Sequence, residues 1–183
     1  MKTTNLIKTG VNYYEFKEFL LEAKKATYAG DAAPSENPSR PGSKDLRYEN
    51  DQFLYIDSYL GAGKFAGTEA VWYKDNGNLI PIWAMSYAGW EIGEFDIGFL
   101  QEALSAGVGF SHNDVDSVVR GPQNFESSIG EKLKYVTRST GDLNNFHGWE
   151  KIYRTVKSFF ELGDGKNEEV VFICHFEGGM IID

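Results

Sequence analysis

The chain has 183 residues, a formal net charge of −9 and 42% apolar residues, with 13 Phe, 10 Tyr and 4 Trp. That content is enough for a sizeable core in one domain and excludes disorder of the whole chain. An acidic balance excludes non-specific binding to nucleic acid or to an anionic membrane surface, which needs clustered Lys and Arg. No run approaches the ~20 apolar residues of a membrane-spanning helix. The lone Cys174 allows no intramolecular disulfide. The N-terminal MKTTNLIKTGVNYYEF also lacks the apolar stretch of a signal peptide, so a cytoplasmic location is the expectation.

In chain order, residues 13–28 read as a helix, because Phe16, Phe19, Leu20, Ala23 and Thr27 recur at helical spacing, and Gly30 is a natural stop. Residues 30–44, GDAAPSENPSRPGSK, read as a long loop. A strand is expected over 52–60, with Phe53, Tyr55, Asp57 and Tyr59 on one face; a second runs over about 68–74 and a third over 79–87. Asn76-Gly77 between the last two is a hairpin signal, and GAGKFAG (61–67) reads as a turn between strands, not a phosphate loop. A helix over 95–106, a second long loop over 107–131, and strands over about 133–139, 148–161 and 169–177 complete the reading.

Two phrases recur. Phe65-x-Gly67-x-Glu69-x-Val71-Trp72 returns as Phe146-x-Gly148-x-Glu150-x-Ile152-Tyr153, at an offset of 81. FLLEA at 19–23 returns as FLQEA at 99–103, Arg40-Pro41-Gly42 as Arg120-Gly121-Pro122, and Gly61 as Gly141, all at an offset of 80. Matches in one order and nearly one register predict an internal duplication, with copies at 13–90 and 93–180. The expected fold is therefore α+β: an antiparallel sheet with helices on one face, built from two αβββ repeats about a pseudo-twofold axis.

Glu69 and Glu150 each share a strand face with a β-branched residue, so each carboxylate needs a partner if that face is buried. The repeated Arg40 and Arg120 are the natural partners. Buried structural Glu–Arg pairs compete here with acids that converge on the axis to meet a cationic or hydroxyl-rich ligand. Asp57 lies between Tyr55 and Tyr59, and its counterpart is Thr137, an asymmetry that fits a site in one half and equally an exposed Asp on a half-wet sheet. Trp83, Met85 and Tyr87 share a face that reads either as core or as an aromatic cleft. His112, His147 and His175 have no metal-ligand spacing, and Cys174 sits in the apolar run VVFIC as an inert thiol.

The stretch from Ser39 to Tyr73, with PIWAMSYAGW at 81–90, resembles a bacterial family of unknown function whose members occur as short single-domain proteins or follow an XRE-type helix-turn-helix segment. The resemblance implies a domain that senses a small molecule. There is also a fold-level analogy to effector-binding domains built from two strand-helix-strand-strand repeats, which would need a strand over 4–9. Together these readings favour binding over catalysis. The expected partner is a small organic molecule, cationic in one reading, with no cofactor, nucleic acid or membrane, and a homodimer is compatible. Glu69, Glu150, Asp57, Tyr55, Trp83 and Tyr87 would line the site, with Arg40 and Arg120 orienting. The alternatives are a hydrolase or lyase using a cleft carboxylate as general base, and a protein-interaction module with no pocket.

Overall fold

The computed structural model describes residues 10–30, 32–107, 119–127, 130–157 and 166–181. Its element order is α1 (Tyr13–Ala26), β1 (Lys44–Glu49), β2 (Phe53–Gly61), β3 (Lys64–Asp75), β4 (Asn78–Glu91), α2 (Ile97–Gly107), β5 (Asn124–Glu126), β6 (Leu133–Asp142), β7 (Asn145–Lys157) and β8 (Lys166–Met180). All eight strands form one sheet in the order β1-β2-β3-β4-β8-β7-β6-β5, and every neighbouring pair is antiparallel.

This corrects the expected α+β architecture of two αβββ repeats. The described residues are 17% helical and 55% strand, and a single sheet dominates them. Each helix is followed by four strands, not three. Of the additional ones, β5 lies in the second segment read as a loop, and β1 fills the stretch between the first such loop and the strand expected from residue 52, where no element was expected. β1 is a short edge strand whose apolar Leu46 and Tyr48 alternate with charged residues, and β5 has only three residues. His112, most of the 107–131 loop and the strand expected over 4–9 lie outside the described residues.

Local chemistry explains the turns. Asn76 (φ 47°) and Gly77 (φ 86°) both adopt left-handed backbone in the two-residue link from β3 to β4, the hairpin geometry matching the twist of its strands. Gly61 (φ 92°) and Gly141 (φ 97°) open the β2–β3 and β6–β7 turns. Three residues separate Gly61 from its partner Phe65, and four separate Gly141 from Phe146. The register also slips once in each half, between Val71 and Trp72 and between Ile152 and Tyr153. Pro81 lies at the first slip, where a missing N–H is tolerated.

Period-two alternation puts Phe53, Tyr55, Val71, Trp83, Met85, Tyr135, Ile152 and Phe172 on the buried face of the sheet, in one core with Phe16, Phe19 and Leu20 of α1 and Phe99 of α2. Asn12 caps α1, its side chain accepting from the Tyr14 N–H at 2.9 Å. Phe16 meets Phe53 and Trp83, Phe19 stacks near Phe53, and Phe99 meets Phe125. The opposite face carries Ser86, Ala88, Trp90 and His175 in the open. No helix among the described residues is long and apolar enough to cross a membrane.

Candidate functional site

The buried face holds charge as well as hydrocarbon. Register pairs Asp57 directly with Glu69 across β2 and β3, and Thr137 with Glu150 across β6 and β7. Both glutamates are fully buried. Charges removed from water this completely require close counter-charges and hydrogen bonds, and the chain supplies both.

Arg120 lies between the two glutamates: Nη2 donates to Glu150 Oε1 at 2.6 Å, and Nη1 is 3.6 Å from Glu69 Oε1. Tyr135 donates to the other Glu150 oxygen at 2.5 Å. The main partner of Glu69 is Lys24 of α1, whose Nζ reaches Oε2 at 2.5 Å and also donates to the Val119 carbonyl at 2.8 Å. Burial lowers the Lys24 pKa, and Glu69 opposes that shift. Burial is the largest influence on Arg120 and works against its charge, but Glu150, with smaller contributions from Cys174 and Tyr28, leaves its pKa above the ordinary arginine value. The guanidinium is over the rings of Tyr28 and Tyr87, at 5.4 and 5.2 Å.

Arg40 does not join this cluster. Its Nη2 donates to the carbonyl and hydroxyl of Ser58, at 2.7 and 2.9 Å, on the other face of the sheet. Ser58 belongs to a second network centred on Asp45, which accepts from the Ser39 N–H and from the Ser43 and Ser58 hydroxyls. Burial pushes against ionisation there, yet those hydrogen bonds bring the Asp45 pKa down to about 2. Arg40 thus anchors the 34–43 loop. The position it was expected to fill opposite Glu69 belongs to Lys24.

Asp57 completes the constellation. It is 3% exposed, and Tyr87 donates to its Oδ1 at 2.6 Å. No described residue donates to Oδ2. Burial, and then the negative charge of Glu69, raise its pKa to about 7, against the Tyr87 hydrogen bond and the charges of Arg120 and Lys24. Burial and Asp57 in turn raise the Tyr87 pKa.

Asp57, Tyr87 and Arg120 form the polar floor of a cavity of about 400 Å³. Thr27 and Tyr28 after α1, Leu100 and Leu104 of α2, and Tyr59 and Phe65 of the sheet form its walls. Of the eight residues singled out from the sequence, these three line the cavity. Glu69 and Glu150 are tied to Arg120 but lie in the core, as do Tyr55 and Trp83. The Tyr55 hydroxyl is beside Glu69 without a hydrogen bond, and Trp83 stacks on Phe146 at 5.9 Å.

Sequence reasoning missed Lys24, Tyr28 and Leu104. The signal for Lys24 was available: it follows Leu20 by four residues on the apolar stripe of α1, and its counterpart at an offset of 80 is Leu104. A lysine where the other helix carries leucine is either a fault or a partner for a buried acid. His147 contacts Thr140 at 3.1 Å on the open face, and no cluster of metal-ligating side chains occurs among the described residues. Burial raises the pKa of Cys174, which keeps the thiol protonated.

Residues 57–181 match the DUF5680 family, described as a domain of unknown function. No curated protein and no solved structure matches the chain.

Proposed function

Because this chain belongs to the DUF5680 family, whose function is unknown, we propose from its geometry that it binds a small organic molecule in the cavity between α1, α2 and the sheet. The observation that carries the reading is a buried carboxyl, Asp57, opening onto an aromatic-walled space of about 400 Å³. That volume falls within the usual range for small-molecule sites, and a few convergent polar groups on apolar walls are their common make-up. A cytoplasmic sensing role belongs to the same proposal, supported by the lone cysteine and the acidic composition. A module without a pocket fits the cavity less well.

Thermal-shift screening with a library of organic compounds tests the reading. A ligand at 100 times its dissociation constant adds about 2.7 kcal/mol of stability. Leu104→Trp, which fills the cavity from α2, abolishes that shift. Hits that ignore both Leu104→Trp and Tyr59→Ala would remove the cavity from consideration.

One observation favours a second reading. A carboxyl titrating near neutrality with a hydroxyl at 2.6 Å is equipped to act as a general base, as a hydrolase or lyase would require. Chemical turnover of a bound hit, lost in Asp57→Asn, separates catalysis from binding.

We also read residues 13–90 and 93–180 as copies of one ancestral unit. Support comes from the matched glycines at positive φ, Gly61 and Gly141, and from the matched register slips after Val71 and Ile152. On that reading, Asp57, Lys24 and Tyr87 stand where the second copy has Thr137, Leu104 and Phe176, so Asp57 and Tyr87 are specialisations of the first copy, while Arg120 of the same floor comes from the second.

A further inference from the structure

We propose that the ligand of this cavity is a monovalent organic cation, held with its charge at the free oxygen of Asp57 and its apolar body against Tyr59, Phe65 and Leu104. The inference rests on the binding reading above and specifies its chemistry.

A count of buried charge carries it. The cluster contains two cations, Lys24 and Arg120, and three carboxyls, Asp57, Glu69 and Glu150. Both cations are committed: Lys24 to Glu69 at 2.5 Å, and Arg120 to Glu150 at 2.6 Å and Glu69 at 3.6 Å. With all three carboxyls ionised, this cluster is one positive charge short among the described residues. The unmatched acid is the one on the cavity wall. Its Oδ1 is taken by Tyr87, and no described residue donates to Oδ2.

An anionic ligand fits poorly, because Arg120 is already ion-paired with Glu150 and Glu69, its remaining Nε is buried out of solvent, and an added negative charge would face Asp57 and Glu69. A dication would overshoot the deficit. The groups around Asp57 act in both directions. Glu69 on β3 disfavours its negative charge; Tyr87 on β4, Lys24 on α1 and Arg120 before β5 favour it. Tyr28 and Tyr59 are neutral, and α2 presents Leu100, Gln101 and Leu104. Lys44 of β1 sits at the cavity wall with Nζ 5.8 Å from the Tyr59 ring centre, exposed to solvent and therefore screened. Its placement shows a cavity ring already facing a cation.

In the empty protein a proton on Asp57 does the neutralising. Binding is then an exchange: the organic cation enters, and the Asp57 carboxyl releases its proton to solvent. No covalent bond to the ligand forms or breaks.

Calorimetric titration of the full chain tests this with phenyltrimethylammonium and its uncharged isostere tert-butylbenzene, from pH 5 to 8.5, in two buffers of different ionisation enthalpy. The cation is expected to bind about ten-fold or more tighter than the isostere at pH 8. Its affinity should rise by up to about ten-fold per pH unit below neutrality and then level off, with close to one proton released per cation at pH 6. In Asp57→Asn the pH dependence and the proton release both vanish, while affinity for tert-butylbenzene is kept. Tyr87→Phe removes a hydrogen bond that favours the carboxylate, so the levelling point moves to higher pH. Equal binding of the two probes without proton release overturns the inference and leaves the cavity-binding reading standing. Absence of binding by either probe overturns both.

Discussion

Asp57 and Glu69 are directly opposite one another on neighbouring strands, an arrangement that costs stability when both are charged. Burial, and then the facing charge of Glu69, raise the Asp57 pKa from 3.8 to about 7, so the folded protein relieves the clash by keeping a proton on Asp57. A raised folded-state pKa means that the native state binds more protons than the unfolded chain between those two values. Stability is therefore greatest below the lower value, falls as pH rises through the window, and carries the full penalty above the upper one. Asp57→Asn removes the titration. Relative to wild type, its stability should improve by roughly 2–4 kcal/mol between pH 4 and pH 8, measured by urea denaturation. An unchanged difference at the two pH values would show that Asp57 is not the buried acid described here. The asymmetry of Asp57 against Thr137 was legible in the sequence. The place of Lys24 on the apolar stripe was legible too, but not its partner, because nothing in the sequence shows that Glu69 lies under the helix.

At the scale of elements, strand alternation and hairpin signals located six of the eight strands, and helical spacing located both helices. β1 and β5 escaped because an edge strand buries little and so carries little hydrophobic pattern. The turns make a sharper test of the geometry. A Cβ on Gly61 would lie 2.0 Å from the Lys64 carbonyl oxygen, and one on Gly141 would lie 2.0 Å from that of Asn145. Gly42 also has positive φ (78°), but a Cβ there meets nothing within 4 Å. Gly61→Ala and Gly141→Ala should each destabilise by about 2–4 kcal/mol, through strain plus the clash, and Gly42→Ala by about 1 kcal/mol. Thermal denaturation of the three variants would show the ranking. If Gly42→Ala costs as much as the other two, the close approach across the turns is wrong.

For the whole molecule, the seam between β4 and β8 decides how the chain behaves as a unit. Nine residue pairs join these strands, from Trp83–Met180 to Glu91–Phe172. Arg120, from the second half of the chain, neutralises Glu69 in the first. A fragment of residues 10–91 would expose β4 along its length and leave Glu69 with Lys24 alone. It should fail to give a monomeric, cooperatively melting species, whereas the full chain should unfold with coincident near- and far-ultraviolet transitions. A fragment that melts cooperatively as a monomer would disprove this interdependence. The two outer margins of the sheet behave differently from the seam. Ser35 donates to the Asp45 carbonyl as the proline-bearing loop passes beside β1, while three-residue β5 occupies the opposite margin. Among the described residues, neither border offers a long strand with a full run of vacant donors and acceptors onto which a stray polypeptide could graft. The open surface bearing Trp90 and His175 then offers a route of association that leaves the ladder itself finite.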